Sequence, residues 1–505
     1  MNTFLNQMKI DNNITLTENG GLTRKSTLSS VLDMFALGAA YRDRSDEDVI
    51  LLFKNAFEED ANLAMKCLFY LRDIREGQGE RRFFRVAYRW LCCKHPEVAI
   101  KNLKYISEYG RWDDLIYATE GTKTEFAAFT LIRRQLLNDL QSKTPSLLGK
   151  WLPSINTSSQ NTKRLAKKIA HFLLMTDKEY RKALSNLREK IKVLEKLMSE
   201  NRWDEIEFDK IPSQAGLIYR NAFARRDILR EKYKVFANSN KEVNADALYP
   251  HDIARKAFRM DSRHTPMDDP ERLMLQKYWD NLRDFYNGRE ENGIAIVDVS
   301  GSMHGTPLEA AVSLGAYIAD KAHGPFANHF ITFSMKPELI KFEGLDIVDK
   351  FHRCLRADWE MNTNIHAVFD MLLSTAKKEN VKPEDMPTRL YIFSDMEFDA
   401  CLSTKESDYS GWGWQWVTHP TSKEELFSDL ENIKKEWAKA GYKMPSIVFW
   451  NLRSRQNIIP AIGEGFSYVS GFSPVMIDNI LSGKDGYDLM IDKLINSGRY
   501  DSILA

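Results

Sequence analysis

The feature that most constrains this chain is a change of hydrophobic period at Asn292. From Ser26 to about Gly288, apolar residues recur at three- and four-residue spacing in stretches such as LSSVLDMFALGAAY, DVILLFKNAF, NLAMKCLFYLRDI and RRFFRVAYRWLCC. That is the pattern of one-sided helices. Breaks at Gly77-Gln78-Gly79, Lys94-His95-Pro96 and Tyr109-Gly110-Arg111 follow closely on one another, which pairs neighbouring helices antiparallel. Without a strict repeat length the reading is an irregular array of helical pairs. Two longer helices are expected between Ser158 and Lys210, KRLAKKIAHFLLM and KEYRKALSNLREKIKVLEKLMSE.

Past Asn292 the run GIAIVDVS is short, β-branched and apolar, and similar runs return at HFITFS, RLYIFSD, SIVFW and FSYVSG, with helical stretches between several of them. Buried strands alternating with helices predict a doubly wound, mostly parallel α/β sheet, so the fold class is multidomain, α followed by α/β. The expected boundaries are an N-terminal extension over 1–25, the helical-repeat array over 26–290, the α/β domain over 291–485 and a C-terminal helical segment over 486–505.

A chain of 505 residues with 43% apolar and 11% aromatic content can bury such cores. Its longest uncharged apolar runs, such as Ala310–Ala319, are too short to span a bilayer, and its first residues lack a signal-peptide pattern. The expected location is the cytoplasm. Five cysteines with no CxxC pair suggest neither a disulfide framework nor a zinc site.

The balance of 71 basic and 71 acidic residues hides a segregation. Residues 1–290 carry 50 Lys and Arg against 41 Asp and Glu, and the remainder carries the reverse excess. A basic half can meet a polyanion, or the two halves can attract one another, and charge totals do not separate these.

The first strand of the expected sheet runs into Asp298-Val299-Ser300-Gly301-Ser302. In open α/β folds ligands sit beyond the carboxyl ends of strands. Side chains at 298, 300 and 302 can converge as the chain turns, and one carboxylate with two hydroxyls suits Mg²⁺, Mn²⁺ or Ca²⁺. Thr363 stands just before a helix, where it can cap that helix or face the metal, and Asp395 ends the strand RLYIFSD. Few formal charges leave room for a carboxylate or phosphate from a partner. His304 and His366 are expected at the surface or in packing.

These residues resemble the metal-ion-dependent adhesion site (MIDAS) of von Willebrand factor A domains: Asp298, Ser300 and Ser302, a distant Thr363, then a distant Asp395. Such a domain after a basic helical array is similar to the TROVE proteins, typified by the Ro branch, and closest to their largely uncharacterised relatives. Segments that carry this likeness include Arg72-Asp73-Ile74-Arg75, Tyr109-Gly110-Arg111-Trp112-Asp113-Asp114-Leu115, Lys150-Trp151-Leu152-Pro153-Ser154, Ser394-Asp395-Met396-Glu397-Phe398-Asp399 and Val469-Ser470-Gly471-Phe472-Ser473. In the Ro branch, HEAT-like repeats close into a ring whose basic hole takes single-stranded ends of misfolded RNA. The resemblance therefore implies a ribonucleoprotein that binds structured or misfolded RNA through its helical array, with a divalent ion for an acidic partner.

Within that array the first RNA-binding expectation is Arg72, Arg75, Arg81 and Arg82, gathered around a glycine turn where backbone can approach a phosphate. Asp73 and Glu76 offer the same arginines structural partners. The second is Lys163, Arg164, Lys167 and Lys168, a basic helix face that can equally be a solvated flank. The alternating segment Gly411-Trp412-Gly413-Trp414-Gln415-Trp416 can stack bases or pack on its own domain. No P-loop, HExxH or nucleophile–His–acid arrangement is present, so no catalysis is expected. The competing function is a metal-dependent protein scaffold without RNA.

Overall fold

A computed structural model describes residues 13–16, 22–333, 337–356, 365–397, 405–410, 413–418, 433–460, 465–484 and 486–505. The protein is rich in helices and carries a mixed, mainly parallel sheet in its C-terminal part. It forms two compact units, each from discontinuous segments: one from 1–45, 249–265 and 284–496, the other from 46–248, 266–283 and 497–505. These differ from the consecutive domains that the change of period suggested.

The α/β unit begins with an antiparallel pair, β1 (Ile14–Leu16) and β2 (Leu22–Arg24). Its main sheet has six strands: β3 (Gly293–Asp298), β4 (His329–Phe333), β5 (Leu339–Lys341), β6 (Arg389–Ser394), β9 (Ser446–Asn451) and β10 (Phe466–Ser470), with the hairpin β7 (Lys405–Ser410) and β8 (Gly413–Thr418) between β6 and β9 in the chain. The sheet order is β10-β9-β6-β3-β4-β5. All neighbours are parallel except the edge pair β4 and β5.

Strand β3 lies inside the sheet and all six of its residues are buried, which is why its sequence is a continuous apolar run rather than an alternating one. The helix Thr306–Lys321 crosses it at close range, and a Cβ on Gly315 would fall 2.4 Å from Val297 Cγ2. Only a glycine admits that approach. At the far edge, Ser470 Oγ of β10 accepts from Ala39 N–H (3.2 Å) beyond the helix Ser30–Leu37, and Arg24 and Ile459 exchange backbone hydrogen bonds of 3.2 and 2.9 Å. Residues before Ser45 therefore complete this unit. So does the helix Pro250–Arg259, where the carbonyls of Ala257 and of Met260 just beyond the helix face His352 Nε2 at 3.0 and 2.9 Å.

The helical unit is built from short one-sided helices, including Asp46–Glu59, Ala61–Arg72, Arg81–Lys94, Trp112–Thr119, Glu125–Gln141, Gln160–Phe172 and Asp177–Lys190. Phe69 contacts Phe84, Tyr88 and Tyr109 edge-on in its core, and Tyr500 stacks on Tyr109. The long helix expected from Lys178 to Glu200 is two, Asp177–Lys190 and Leu194–Ser199, because Lys192 takes a positive φ of 48° that a right-handed helix cannot contain. Among the described residues, no helix is long and apolar enough to cross a membrane.

Candidate functional site

Strands β3 and β6 run parallel with Val297 opposite Phe393, so Asp298 and the Ser394-Asp395 pair leave the sheet side by side at its carboxyl edge. Asp298 is fully buried. Its Oδ2 accepts from Ser394 Oγ at 2.6 Å and its Oδ1 from Ser300 N–H at 2.9 Å. The chain then turns through a 3-10 segment, Gly301–Met303, that brings the Ser300 and Ser302 hydroxyls within 2.9 Å of each other. Asp395 is 2% exposed, and it is followed by Met396 at a φ of +66°, a left-handed conformation unfavourable for a bulky side chain. Hydrogen bonds from Met396 N–H to Ser394 Oγ (3.0 Å) and from Glu397 N–H to Asp395 Oδ1 (3.2 Å) hold that turn.

Burial, and after it the charge of Asp395, pushes the Asp298 carboxyl up to about 6. Two arginines stand at the edge. Arg455, in the loop after β9, places Nη2 3.2 Å from Asp395 Oδ2. Arg453 donates from Nη1 to the Ser302 carbonyl at 2.7 Å and pairs with Asp43 through Nε at 3.0 Å. Both arginines were missed by sequence reasoning. Their spacing of two after the strand end at Asn451 repeats the alternation of Asp298, Ser300 and Ser302 and was the available signal.

The structure thus gathers Asp298, Ser300, Ser302 and Asp395, while Thr363 and the side chain of His366 lie outside the described residues. His304 is exposed. Among the described residues no group of three or more His, Cys, Asp or Glu side chains could hold a metal. The donor set here is of another kind: two carboxylates and two hydroxyls, all hard oxygens, with neither thiol nor imidazole. It fits a hard divalent cation, whose charge would relieve the crowding of two buried carboxylates.

In the helical unit the expected arginine cluster divides. Arg72 is 1% exposed, with Nε and Nη2 held 2.8 and 2.6 Å from Asp114 Oδ2. The expectation that it contacts RNA is therefore corrected: it is a buried ion-pair partner out of reach of a phosphate. The glycine turn does not present its amides either, because Gln78, Gly79 and Glu80 N–H donate to the carbonyls of Tyr70, Asp73 and Leu71. Arg75 is exposed and donates to the Glu108 carbonyl at 2.8 Å, Arg82 pairs with Asp46, and Arg81 is exposed. On the second basic face, Arg164 pairs with Glu120 (2.5 Å), Lys167 with Asp177 (3.6 Å) and Lys168 with Glu125 (2.5 Å). Lys163 on the same helix is half-buried.

The hairpin β7–β8 carries the tryptophan-rich segment, with the backbone of Trp414 opposite Tyr409 and that of Trp416 opposite Ser407; Trp412 lies outside the described residues.

Two families cover most of the chain. Residues 17–118 and 132–284 match the domain of unknown function DUF2828, and residues 292–494 match the domain of unknown function DUF7788. The chain is also similar to the uncharacterized protein L728 of Acanthamoeba polyphaga mimivirus, at 31% identity over 94% of this chain and 85% of that protein.

Proposed function

The chain belongs to the DUF2828 family and carries a C-terminal DUF7788 domain, and on that premise we propose a non-catalytic, cytoplasmic RNA-binding protein whose α/β unit holds a divalent cation for an acidic ligand. The observation that carries the metal half is the convergence of Asp298, Ser300, Ser302 and Asp395 at the carboxyl edge of two adjacent parallel strands. These residues, with Thr363, would hold Mg²⁺, Mn²⁺ or Ca²⁺. Such an ion supplies a Lewis-acidic position for a carboxylate or phosphate oxygen of a partner. The sheet order, with one antiparallel edge strand, agrees with the von Willebrand factor A resemblance, and the short paired helices agree with a HEAT-like array. The RNA half rests on the TROVE-like resemblance and on the exposed arginines of the helical unit.

The scaffold reading has one observation in its favour, the engagement of Arg164, Lys167 and Lys168 by acidic neighbours, which leaves that helix face less cationic than its sequence suggests. One preparation distinguishes the two. Protein from its native host is expected to carry nuclease-sensitive RNA that stays intact in Mg²⁺, and Mn²⁺ is expected to raise the melting temperature of wild type but not of Asp298→Asn. RNA-free protein with an EDTA-sensitive protein partner favours the scaffold. Metal-dependent RNA cleavage lost in Asp298→Asn overturns the non-catalytic reading.

A further inference from the structure

Four guanidinium groups surround two carboxylates in the helical unit. Asp114 Oδ2 accepts from Arg72 and from Arg111 N–H (3.0 Å), and its Oδ1 accepts from Arg85 Nε at 2.7 Å. Asp113 Oδ1 accepts from Arg111 Nε at 2.9 Å, and its Oδ2 from Arg111 and Arg85 Nη2 at 2.5 and 2.9 Å. Every carboxylate oxygen of the pair is thus engaged by three of the arginines. The fourth, Arg81, shares a helix with Arg85 at a spacing of four, which puts both on one face. Arg81 is exposed, and its guanidinium makes no hydrogen bond or ion pair among the described residues. Although its side chain reaches solvent, partial desolvation beside its neighbours, then the charges of Arg111 and Arg72, hold it below its ordinary range despite Asp114 nearby.

The cluster therefore has two positive charges more than its carboxylates neutralise. The surplus is not diffuse, because the guanidiniums are fixed: Arg111 lies 3.8 Å over the Trp151 ring and Arg85 4.6 Å over Tyr117. Tyr117 is 43% exposed and offers an aromatic surface to an incoming base. A guanidinium fork matches a phosphate bidentately, and a surplus of two charges matches a phosphate monoester, close to a dianion at neutral pH, better than a singly charged phosphodiester or carboxylate.

We propose that Arg81, backed by Arg85 and Arg111, is a site for a phosphate monoester, and that the ligand is the 5′-phosphorylated end of a single-stranded RNA. The RNA part rests on the function proposed above; the phosphate part does not. A mononucleotide or inorganic phosphate would offer the same chemistry, so the test separates these sources.

Full-length wild type and Arg81→Gln are titrated with a fluorescent oligouridylate bearing either a 5′-phosphate or a 5′-hydroxyl, and inorganic phosphate and uridine monophosphate are followed by phosphorus NMR line broadening. Since Arg81 has no hydrogen-bond or ion-pair partner to lose among the described residues, the variant should melt as wild type does. The expected result is that the 5′-phosphate strengthens wild-type binding about tenfold and that the gain disappears in Arg81→Gln. Oligonucleotides that fail to bind, with phosphate or the mononucleotide binding wild type but not the variant, keep the site and remove the RNA reading. Equal binding of both oligonucleotides to wild type, or a 5′-phosphate gain that survives in Arg81→Gln, overturns the site while RNA binding stands. Binding of none of the four probes removes both.

Discussion

Arg72 shows how charge misleads when burial is unknown. In sequence it belongs to a basic cluster; in the structure its partner lies 42 positions away, and a Cβ on the intervening Gly110 would come 2.7 Å from Asp114 Oδ2 and 2.8 Å from Arg72 Nε. The Tyr-Gly-Arg-Trp-Asp-Asp segment is thus shaped around an ion pair, which no local pattern marks as internal. Removing one partner leaves the other charged and buried, so Asp114→Asn or Arg72→Met should cost about 3–5 kcal/mol of the helical unit's stability, measured by urea unfolding. Little change would mean that the pair is solvated. A second residue-scale prediction concerns His251, buried against Phe472, whose ring burial holds down to about 4 from an ordinary 6.5 although Asp252 opposes this; Arg42 and Arg255 act in the same direction as burial. The unfolded chain then binds the proton more readily between those values, so the contribution of neutral His251 is intact above about pH 6.5 and lost as pH falls toward 4. Relative to a His251→Phe variant, wild type should lose roughly 3 kcal/mol across that window, read as the difference in urea midpoints at each pH. Asp298, raised to about 6, contributes in the opposite sense in both proteins and cancels from the difference.

Among elements, the strands were the most legible, because a strand buried on both faces is a short β-branched run bounded by turns, and β3, β4, β6, β9 and β10 all read that way. Edge strand β5 did not: its three residues alternate exposed and half-buried and carry no such run. Asp298 and Asp395 were visible as strand-end carboxylates, whereas Arg453 and Arg455 emerge only once the loop after β9 is seen folding back over the sheet edge. The contact between the helix Thr306–Lys321 and β3 was equally hidden, since Gly315 looks like any helix glycine until Val297 is found against it. Gly315→Ala should cost about 1–3 kcal/mol through overpacking, and it should also weaken Mn²⁺ binding, because Val297 immediately precedes Asp298. Calorimetric melting with and without Mn²⁺ reads both effects.

On the scale of the whole molecule, the periodicity revealed two architectures, while each compact unit is assembled from discontinuous segments. The helix Ser30–Leu37 has the same period whichever unit it packs on, and nothing in its spacing shows that its neighbour Ala39 bonds to β10. The converse holds for residues 497–505, part of the expected C-terminal helical segment, which bury Tyr500 and Ile503 completely in the helical unit, with Arg499 paired to Asp73 at 2.8 Å and Tyr109 donating to the Arg499 carbonyl at 2.7 Å. A chain stopped after Asn496 should therefore lose the helical unit's cooperative melt while keeping the α/β unit's, and a fragment spanning 291–485 alone should not fold. Differential scanning calorimetry of the two truncations checks this.

That interleaving also has a consequence in time. A ribosome makes about 5–20 residues per second, so roughly 20 to 90 seconds separate the emergence of the helix Asp46–Glu59 from that of Tyr500, which fills the core of the same unit. During that interval Tyr109 and Tyr70 lack their last aromatic neighbour, and the nascent helices must be kept from other chains. The α/β unit, which draws on residues 1–45 and 284–496, waits almost as long, so both units are completed only as the last part of the chain emerges.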